Sequence, residues 1–332
     1  MASTDIHSLP FFSAVSSSAR QLYLLLKCIN FAPKALVQIT ANGLQFSAEE
    51  TSVMQGNAFL GKELFSSYIY NPPQPDPEML IDNEPEVEGV IFQISLTALI
   101  ETLQIFGFND NKERWTNLDN SISRGGAKAF DKNVLGMSGV CRLSYAGEGE
   151  PFCVVLEETG VTTKCELMTY TFEPEMQVNI QLDRSAIVQR IITRASWLYD
   201  AITELSSTSP TRLTITSSPT APCFTLSSRG PLGSASVEFF KDPQLLETFE
   251  VQSRSVNAYK YSMIRAASRA MAIANKVSIR TDEQGVLSLQ FMIEVAEKVT
   301  SFVDFRFLPL MEEDGDEADE GDESDEMDEE DE

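Results

Sequence analysis

The sequence predicts an α+β fold in which two similar units each carry two helices packed on a large antiparallel sheet. Short runs of alternating apolar and polar residues recur along the chain, as expected of half-buried strands. Four stretches instead carry apolar residues at helical spacing. The order of helices and strands in the first half recurs in the second, which indicates an internal repeat.

The first unit is predicted to begin with a helix whose apolar residues share one face: Leu22, Leu25, Leu26 and Ile29. Its elements in order are a helix (16–31), a hairpin (35–48), a strand with a short turn (53–68), a strand running into a helix (90–107) and three strands (140–168). Asn42-Gly43 is the expected two-residue turn of the hairpin, because this dipeptide favours tight hairpin turns.

The second unit repeats this order. A strand-like alternation at Val178, Ile180 and Leu182 comes first, and helical spacing follows at Val188, Ile191, Ala195, Leu198 and Ile202. The predicted elements are a helix (185–205), a hairpin (212–228), a strand with a turn (234–249), a strand running into a helix (256–274) and two or three strands (277–308).

The acidic charge of the chain is concentrated in two segments. The 332 residues carry 50 acids against 25 bases, a formal net charge of -25. Residues 312–332 hold 16 of the acids and no base, and residues 71–89 hold six acids and no base. Without both segments the balance is 28 acids against 25 bases, so the net charge does not exclude a nucleic-acid partner for the body.

These composition shifts predict the organisation of the chain. It comprises a flexible N-terminus (1–15), a first domain (16–165) with inserted loops at 71–89 and 108–136, a connector (166–177), a second domain (178–310) and a disordered acidic tail (311–332). The sequence offers neither a signal peptide nor an apolar run of about 20 residues. Five cysteines without paired short spacing favour reduced thiols in the cytosol or nucleus.

The chain lacks the residue patterns of an enzyme. The single histidine, His7, nearly excludes Ser-His-Asp, Cys-His and His-rich metal chemistry. Cys141, Cys153 and Cys165 recur every twelve residues, which favours small buried side chains on adjacent strands over a zinc site. Paired carboxylates on rigid strands are not evident either. We therefore predict no catalytic residue, no metal and no cofactor.

Three of the four predicted helices carry paired bases opposite their apolar stripes. The pairs are Arg20 with Lys27, Arg190 with Arg194, and Arg265 with Arg269. If these faces lie on one surface, they form a basic stripe suited to phosphates without base readout. The alternative is ordinary solvated helix surface.

The acidic tail has two interpretations. It could imitate nucleic acid toward a basic partner, or it could be a solubilising extension. Ser324, among acids, is a candidate site for an acidophilic kinase.

Four segments of the sequence resemble the Rad-one family of subunits of the nine-one-one DNA damage checkpoint clamp, a sliding clamp similar to proliferating cell nuclear antigen. They are QGNAF (55–59), FQISLTALIETLQIFG (92–107), LEETGVTTKCEL (156–167) and KVSIRTDEQGVLSLQFMI (276–293). The similarity extends from about residue 16 to 310, and segment 276–293 is the most specific.

The resemblance implies a DNA clamp fold and a non-catalytic subunit of a nuclear heterotrimer that encircles double-stranded DNA at damage sites, in checkpoint signalling and DNA repair. The implied partners are clamp subunits of the Rad-nine and Hus-one types and a checkpoint clamp loader. The resemblance also implies that the paired bases lie on helices that face DNA: Arg20, Lys27, Arg190, Arg194, Arg265 and Arg269.

The same resemblance implies that the ring closes through edge strands at 161–168 and 234–240. The residues expected there are Val161, Thr163, Cys165, Leu167, Ser236, Val237 and Phe239. Two other functions stay open. A 3′–5′ DNA exonuclease would need metal-binding carboxylates on a rigid scaffold, and a homotrimeric replication processivity clamp would close a ring from this chain alone.

Overall fold

The computed structural model describes residues 10–72, 89–105, 140–158, 160–172, 179–296 and 299–311. Outside these ranges lie His7, most of the acidic loop 71–89, the insertion 108–136 and the tail from residue 312, which includes Ser324. Nothing in the described ranges forms a helix that is both long and apolar enough to cross a membrane.

The two halves of the chain contain the same order of elements. The first half holds strands β1 (Phe12–Ser16), β2 (Lys34–Thr40), β3 (Gly43–Glu50), β4 (Met54–Gly61), β5 (Ser67–Tyr70), β6 (Val90–Ser95), β7 (Val140–Tyr145), β8 (Phe152–Glu158) and β9 (Val161–Leu167). Helix α1 (Ala19–Cys28) follows β1, and helix α2 (Leu96–Gln104) follows β6.

The second half holds strands β10 (Ile187–Arg194), β11 (Arg212–Ser217), β12 (Phe224–Gly230), β13 (Gly233–Phe239), β14 (Leu246–Val251), β15 (Ser255–Lys260), β16 (Lys276–Asp282), β17 (Leu287–Ala296) and β18 (Val299–Phe307). Helix α3 (Ala195–Leu205) follows β10, and two short helices, α4 (Tyr261–Ala266) and α5 (Ser268–Ile273), follow β15. Each strand of the first half therefore has a counterpart in the second half whose number is higher by nine, so that β4 corresponds to β13 and β9 to β18.

The strands form three antiparallel sheets. Their strand orders are β5-β1-β7-β8-β9, β13-β12-β11-β15 and β14-β10-β16-β17-β18-β4-β3-β2-β6. In the nine-stranded sheet, β18 of the second half pairs with β4 of the first, from Phe302 opposite Phe59 to Phe307 opposite Met54. We call this pairing the internal seam, because it joins the two halves into one sheet.

Aromatic side chains fill the core between the sheets and beside the internal seam. In the first half, Phe92 of the nine-stranded sheet packs on Tyr145 of the five-stranded sheet, with ring centroids 4.3 Å apart. At the seam, fully buried Phe305 lies 6.2 Å from Phe31 and 5.8 Å from Phe291 between ring centroids. Burial of such large rings is a major favourable term in folding, so the seam belongs to the core.

Most predicted elements are present, with one shift at the first hairpin. The strand-to-helix segments at 90–107 and 256–274 and the three strands at 140–168 match β6–α2, β15–α4–α5 and β7–β9. The expected Asn42-Gly43 turn lies one residue earlier. Thr40 is opposite Gly43, so the loop is Ala41-Asn42, and a Cβ on Gly43 would lie 2.4 Å from the Leu60 carbonyl oxygen.

Three predictions about local structure are wrong. The helix expected over 185–205 is a strand as far as Arg194, because its β-branched residues pair with β14 and β16 on both sides. The strand expected around 178–182 is irregular in its described residues 179–182. Residues 12–15, expected in a flexible N-terminus, pair with both β5 and β7 and bury Phe12 completely.

Candidate nucleic-acid interface and subunit edges

The helices of both halves form one continuous layer on the same side of the nine-stranded sheet. Helix α1 packs against α2 within the first half and against α5 of the second half, and α5 packs against α3. Serine side chains cap two of these helices at their N-termini. At α1 the Ser18 hydroxyl accepts a hydrogen bond from the backbone N–H of Gln21, and at α2 the Ser95 hydroxyl accepts one from the backbone N–H of Ala98. We call helices α1 to α5 the helix layer.

Three of the six predicted bases lie together on the exposed side of the helix layer. Arg265 and Arg269 are exposed on α4 and α5, and Lys27 is partly exposed in the last turn of α1. Burial lowers the pKa of Lys27, and the nearby positive charge of Arg269 lowers it further. Bases from the two halves thus meet where α1 contacts α5, and they present a local positive charge that suits phosphates.

Arg20 does not belong to this exposed group. Eight of the ten residues of α1 are buried, and Arg20 is one of them, with 8% of its surface exposed. Desolvation lowers its pKa. The seven-residue spacing from Lys27 does place both residues on one side of the helix, but that side is enclosed at the N-terminal end. The prediction that Arg20 faces DNA is therefore wrong.

Arg190 and Arg194 are not a helical pair. Arg190 lies on β10, where it is opposite Arg280 and Glu250 and points away from the helix layer, since its neighbour Ile191 is buried on the helix side. Arg194 ends β10 and is the N-cap residue of α3, with its guanidinium 5.1 Å from the Trp197 ring centroid. The prediction of Arg190 as a DNA-facing helical residue is therefore wrong. Arg194 lies at the start of α3, before its first helical residue, and not on a helical face.

The helix layer also carries exposed acids. Exposed Asp200 and Glu204 lie on α3, and exposed Glu101 lies on α2. Exposed Lys260 is the N-cap residue of α4 and adds a base. The signal for Asp200 and Glu204 was their four-residue spacing opposite buried Leu198 and Ile202. The bases are therefore concentrated around α1, α4 and α5.

Two predicted interface strands are sheet edges. Strand β9 ends the five-stranded sheet beyond β8, and β13 ends the four-stranded sheet beyond β12. None of the β9 side chains is fully buried, and Val161 is 55% exposed. Seven expected interface residues lie on these strands: Val161, Thr163, Cys165, Leu167, Ser236, Val237 and Phe239. An edge strand leaves backbone donors and acceptors open to a further strand.

The three equally spaced cysteines lie on three neighbouring strands. Cys141 is buried on β7, while Cys153 on β8 and Cys165 on β9 are partly exposed, and all three are free thiols. They are not opposite one another, because Cys141 pairs with Leu156 and Cys165 with Val154. Over the ranges that the structure describes, we find no group of three or more metal-ligating side chains.

Comparison with known proteins assigns the chain to a family. A sequence model described as "Repair protein Rad1/Rec1/Rad17" matches residues 11–293. The chain belongs to this family. The DNA damage checkpoint control protein rad1 of Schizosaccharomyces pombe is 32% identical over 301 residues, which cover 90% of this chain and 86% of that protein. The cell cycle checkpoint protein RAD1 of Homo sapiens is 32% identical over 300 residues, covering 90% of this chain and 92% of that protein.

The fold of this Rad1-family chain is that of a DNA clamp. The crystal structure of PCNA from Thermococcus kodakaraensis is similar with a TM-score of 0.60 at 18% identity, covering 90% of this chain and 100% of that chain. This likeness confirms the predicted α+β clamp fold, and the family match confirms the Rad-one resemblance.

Proposed function

We propose that this Rad1-family chain is a non-catalytic subunit of a DNA damage checkpoint clamp that encircles double-stranded DNA. The family and the clamp fold support a subunit of a multimeric clamp in the DNA damage response. The finer proposal is a nuclear heterotrimer with one Rad-nine type and one Hus-one type subunit, placed on DNA by a checkpoint clamp loader. The proposed connector between its two domains is residues 166–177.

The repeat of elements around the internal seam carries this proposal. At the seam, the last strand of the second half, β18, pairs with the fourth strand of its partner half, β4. The counterparts of β18 and β4 in the other halves are β9 and β13, and both are open edges. Pairing β9 with the β13 counterpart of a neighbouring clamp subunit would repeat the seam between chains. Three two-unit chains joined in this way close a ring.

Within such a ring, the helix layer faces the hole and the nine-stranded sheet lies outside. Lys27, Arg265 and Arg269 then contact phosphates, while Glu101, Asp200 and Glu204 keep the layer from gripping DNA uniformly. Phosphate contacts made by three bases hold DNA without reading its sequence. A ring that slides along the duplex needs this kind of binding.

The experiment is to co-express the chain with Rad-nine and Hus-one type subunits and to measure the mass of the assembly. We expect one copy of each subunit, and no trimer of this chain alone. Changing Lys27, Arg265 and Arg269 to Gln should leave that mass unchanged. It should reduce the slope of log affinity for DNA against log salt by up to about 2.7, since each phosphate contact contributes about 0.9.

The matched control changes three exposed bases away from the helix layer, Lys62→Gln, Arg142→Gln and Arg229→Gln, with the same loss of charge. An equal effect of both triple variants on DNA binding would contradict the proposed DNA-facing surface. A homotrimer of this chain would favour the processivity clamp. Mg²⁺-dependent DNA degradation that is lost on changing one carboxylate of the body would favour the exonuclease.

A further inference from the structure

Arginines cluster on the face of the nine-stranded sheet that points away from the helix layer. Arg190, Arg280 and Arg306 occupy one row across the strands, with Ser288 between the last two. Since neighbouring strands lie about 4.8 Å apart, the row spans roughly 15 Å. Arg184, just before β10, is close enough to act electrostatically on Arg280. We call these four residues the arginine cluster.

The carboxylates of this face neutralise only part of the cluster. Asp304 Oδ2 lies 3.1 Å from Arg306 Nε, and its Oδ1 accepts from the Ser288 hydroxyl at 3.0 Å. Glu250 lies 3.9 Å from Arg190, and both side chains are more than half exposed. In the described part of the chain, these are the ion pairs that the cluster forms. Two of four guanidinium charges are therefore balanced by contact.

Arg280 shows how crowded the positive charge is. Its Nη2 donates to the Ser288 hydroxyl at 3.3 Å and to Gln290 Oε1 at 3.4 Å, both neutral groups. Burial lowers the pKa of Arg280, and the other three arginines lower it further, against the opposing effect of Asp304. An additional anion at this face would relieve that repulsion. Guanidinium groups bind carboxylates with paired hydrogen bonds, so acidic side chains suit the site.

The described chain ends at the four-stranded sheet, within reach of this cluster. After β18, the Leu308 amide donates to the Val53 carbonyl at 2.9 Å and the Leu310 amide to the Ala258 carbonyl at 2.7 Å. Met311 is five residues beyond Arg306, hence at most about 17 Å away. The next 21 residues, 312–332, contain 16 acids and no base.

We propose that residues 312–332 bind the arginine cluster of the same chain and cover the outer face of the nine-stranded sheet. A chain of this length has a root-mean-square reach of about 25 Å, which exceeds the span of the cluster. Because the tail is covalently attached, its effective concentration at the cluster is high, on the order of millimolar. With the cluster covered, its guanidinium groups no longer compete with the bases of the helix layer for DNA.

The test uses a labelled synthetic peptide of residues 312–332 and the full chain in two forms. One form is natural, and the other has every acid of 312–332 changed to the corresponding amide. We expect the peptide to bind the neutral-tail chain. If its Kd is about 10 μM, the natural tail at about 1 mM effective concentration should weaken that binding about 100-fold. Equal binding to both forms, or no binding to the neutral-tail chain, would overturn the proposal.

A second pair of variants locates the binding face. In the neutral-tail chain, Arg184→Gln with Arg190→Gln should weaken peptide binding at least about tenfold, because both exposed guanidinium groups are lost. Arg265→Gln with Arg269→Gln removes the same charge from the helix layer and should leave binding within about twofold. A larger effect of the helix-layer pair would place the tail on the wrong face and refute the proposal. Circular dichroism of all variants checks that they are folded.

Discussion

Gly56 offers a sharp test of packing at the internal seam. It lies on β4 between Ala48 of β3 and Phe305 of β18. A Cβ at this position would lie 2.7 Å from Phe31 Cε1 and 3.1 Å from Phe305 Cε1. Carbon atoms in contact prefer about 3.5–4.0 Å, so the Phe31 ring would have to move by roughly 0.8 Å and the Phe305 ring by roughly 0.4 Å.

The expected cost of Gly56→Ala follows from two opposing effects. Overpacking of this kind destabilises by about 1–3 kcal/mol. Replacing glycine with alanine also restricts the unfolded chain and returns about 0.4–1 kcal/mol where the backbone is compatible. We therefore expect a net loss of about 1–2 kcal/mol in the free energy of unfolding, measured by urea denaturation with circular dichroism.

Phe31→Leu tests whether the clash with Phe31 is the cause. Leucine lacks the Cε1 and Cζ atoms that approach Gly56, so Gly56→Ala should cost less in this background, where the milder contact with Phe305 remains. Gly147→Ala is the matched control, because its added Cβ would lie 3.6 Å from the Phe11 ring, an ordinary contact. A neutral effect of Gly56→Ala in the natural chain, or an equal cost in both backgrounds, would show that contact with the Phe31 ring does not limit this position.

Two further predictions concern buried polar groups. Burial raises the pKa of the Cys28 and Cys141 thiols to about 12. Above about pH 9 the unfolded chain ionises first, so the free energy of unfolding should fall by about 2 kcal/mol per thiol by about pH 10.5, and Cys28→Ala should make the decline shallower. The buried Tyr259 hydroxyl donates to the Gly285 carbonyl at 2.7 Å, so Tyr259→Phe should cost about 1–2 kcal/mol in urea denaturation. Tyr199→Phe, on a partly exposed ring, should stay within about 0.5 kcal/mol, and a larger loss there would contradict this account.

Local periodicity was sufficient to predict most elements of this fold, and it failed where two patterns overlapped. Val188, Ile191 and Ala195 have helical spacing, yet Gln189, Ile191 and Thr193 alternate as the buried face of β10. The apolar spacing of helix α3 thus also fits the residues of β10 that precede it. Pairing with β14 and β16 decided the outcome, and those partners are more than 50 residues away along the chain.

The candidate sites were harder to predict than the strands and helices, because they depend on contacts between residues that are far apart in the sequence. The sequence cannot show that α1 is enclosed by other elements, so the burial of Arg20 was not predictable from its helical position. The arginine cluster has no local signature either. Arg190, Arg280 and Arg306 are far apart in sequence and meet only through the register of four strands. Lys27, Arg265 and Arg269 were identified correctly as helical residues because their exposure follows from apolar stripes on their own helices.

In the proposed ring, the pairing of β18 with β4 within one chain should be stronger than the pairing of β9 with β13 between chains. At the seam, β18 and β4 belong to one covalent chain, and buried Phe305 anchors the pairing. The edges β9 and β13 have no covalent tether to the strands with which they would pair. A clamp must open to admit a duplex that has no free end. Mechanical opening should therefore occur between chains, where only strand pairing and side-chain contacts must break, while each two-unit arc stays rigid.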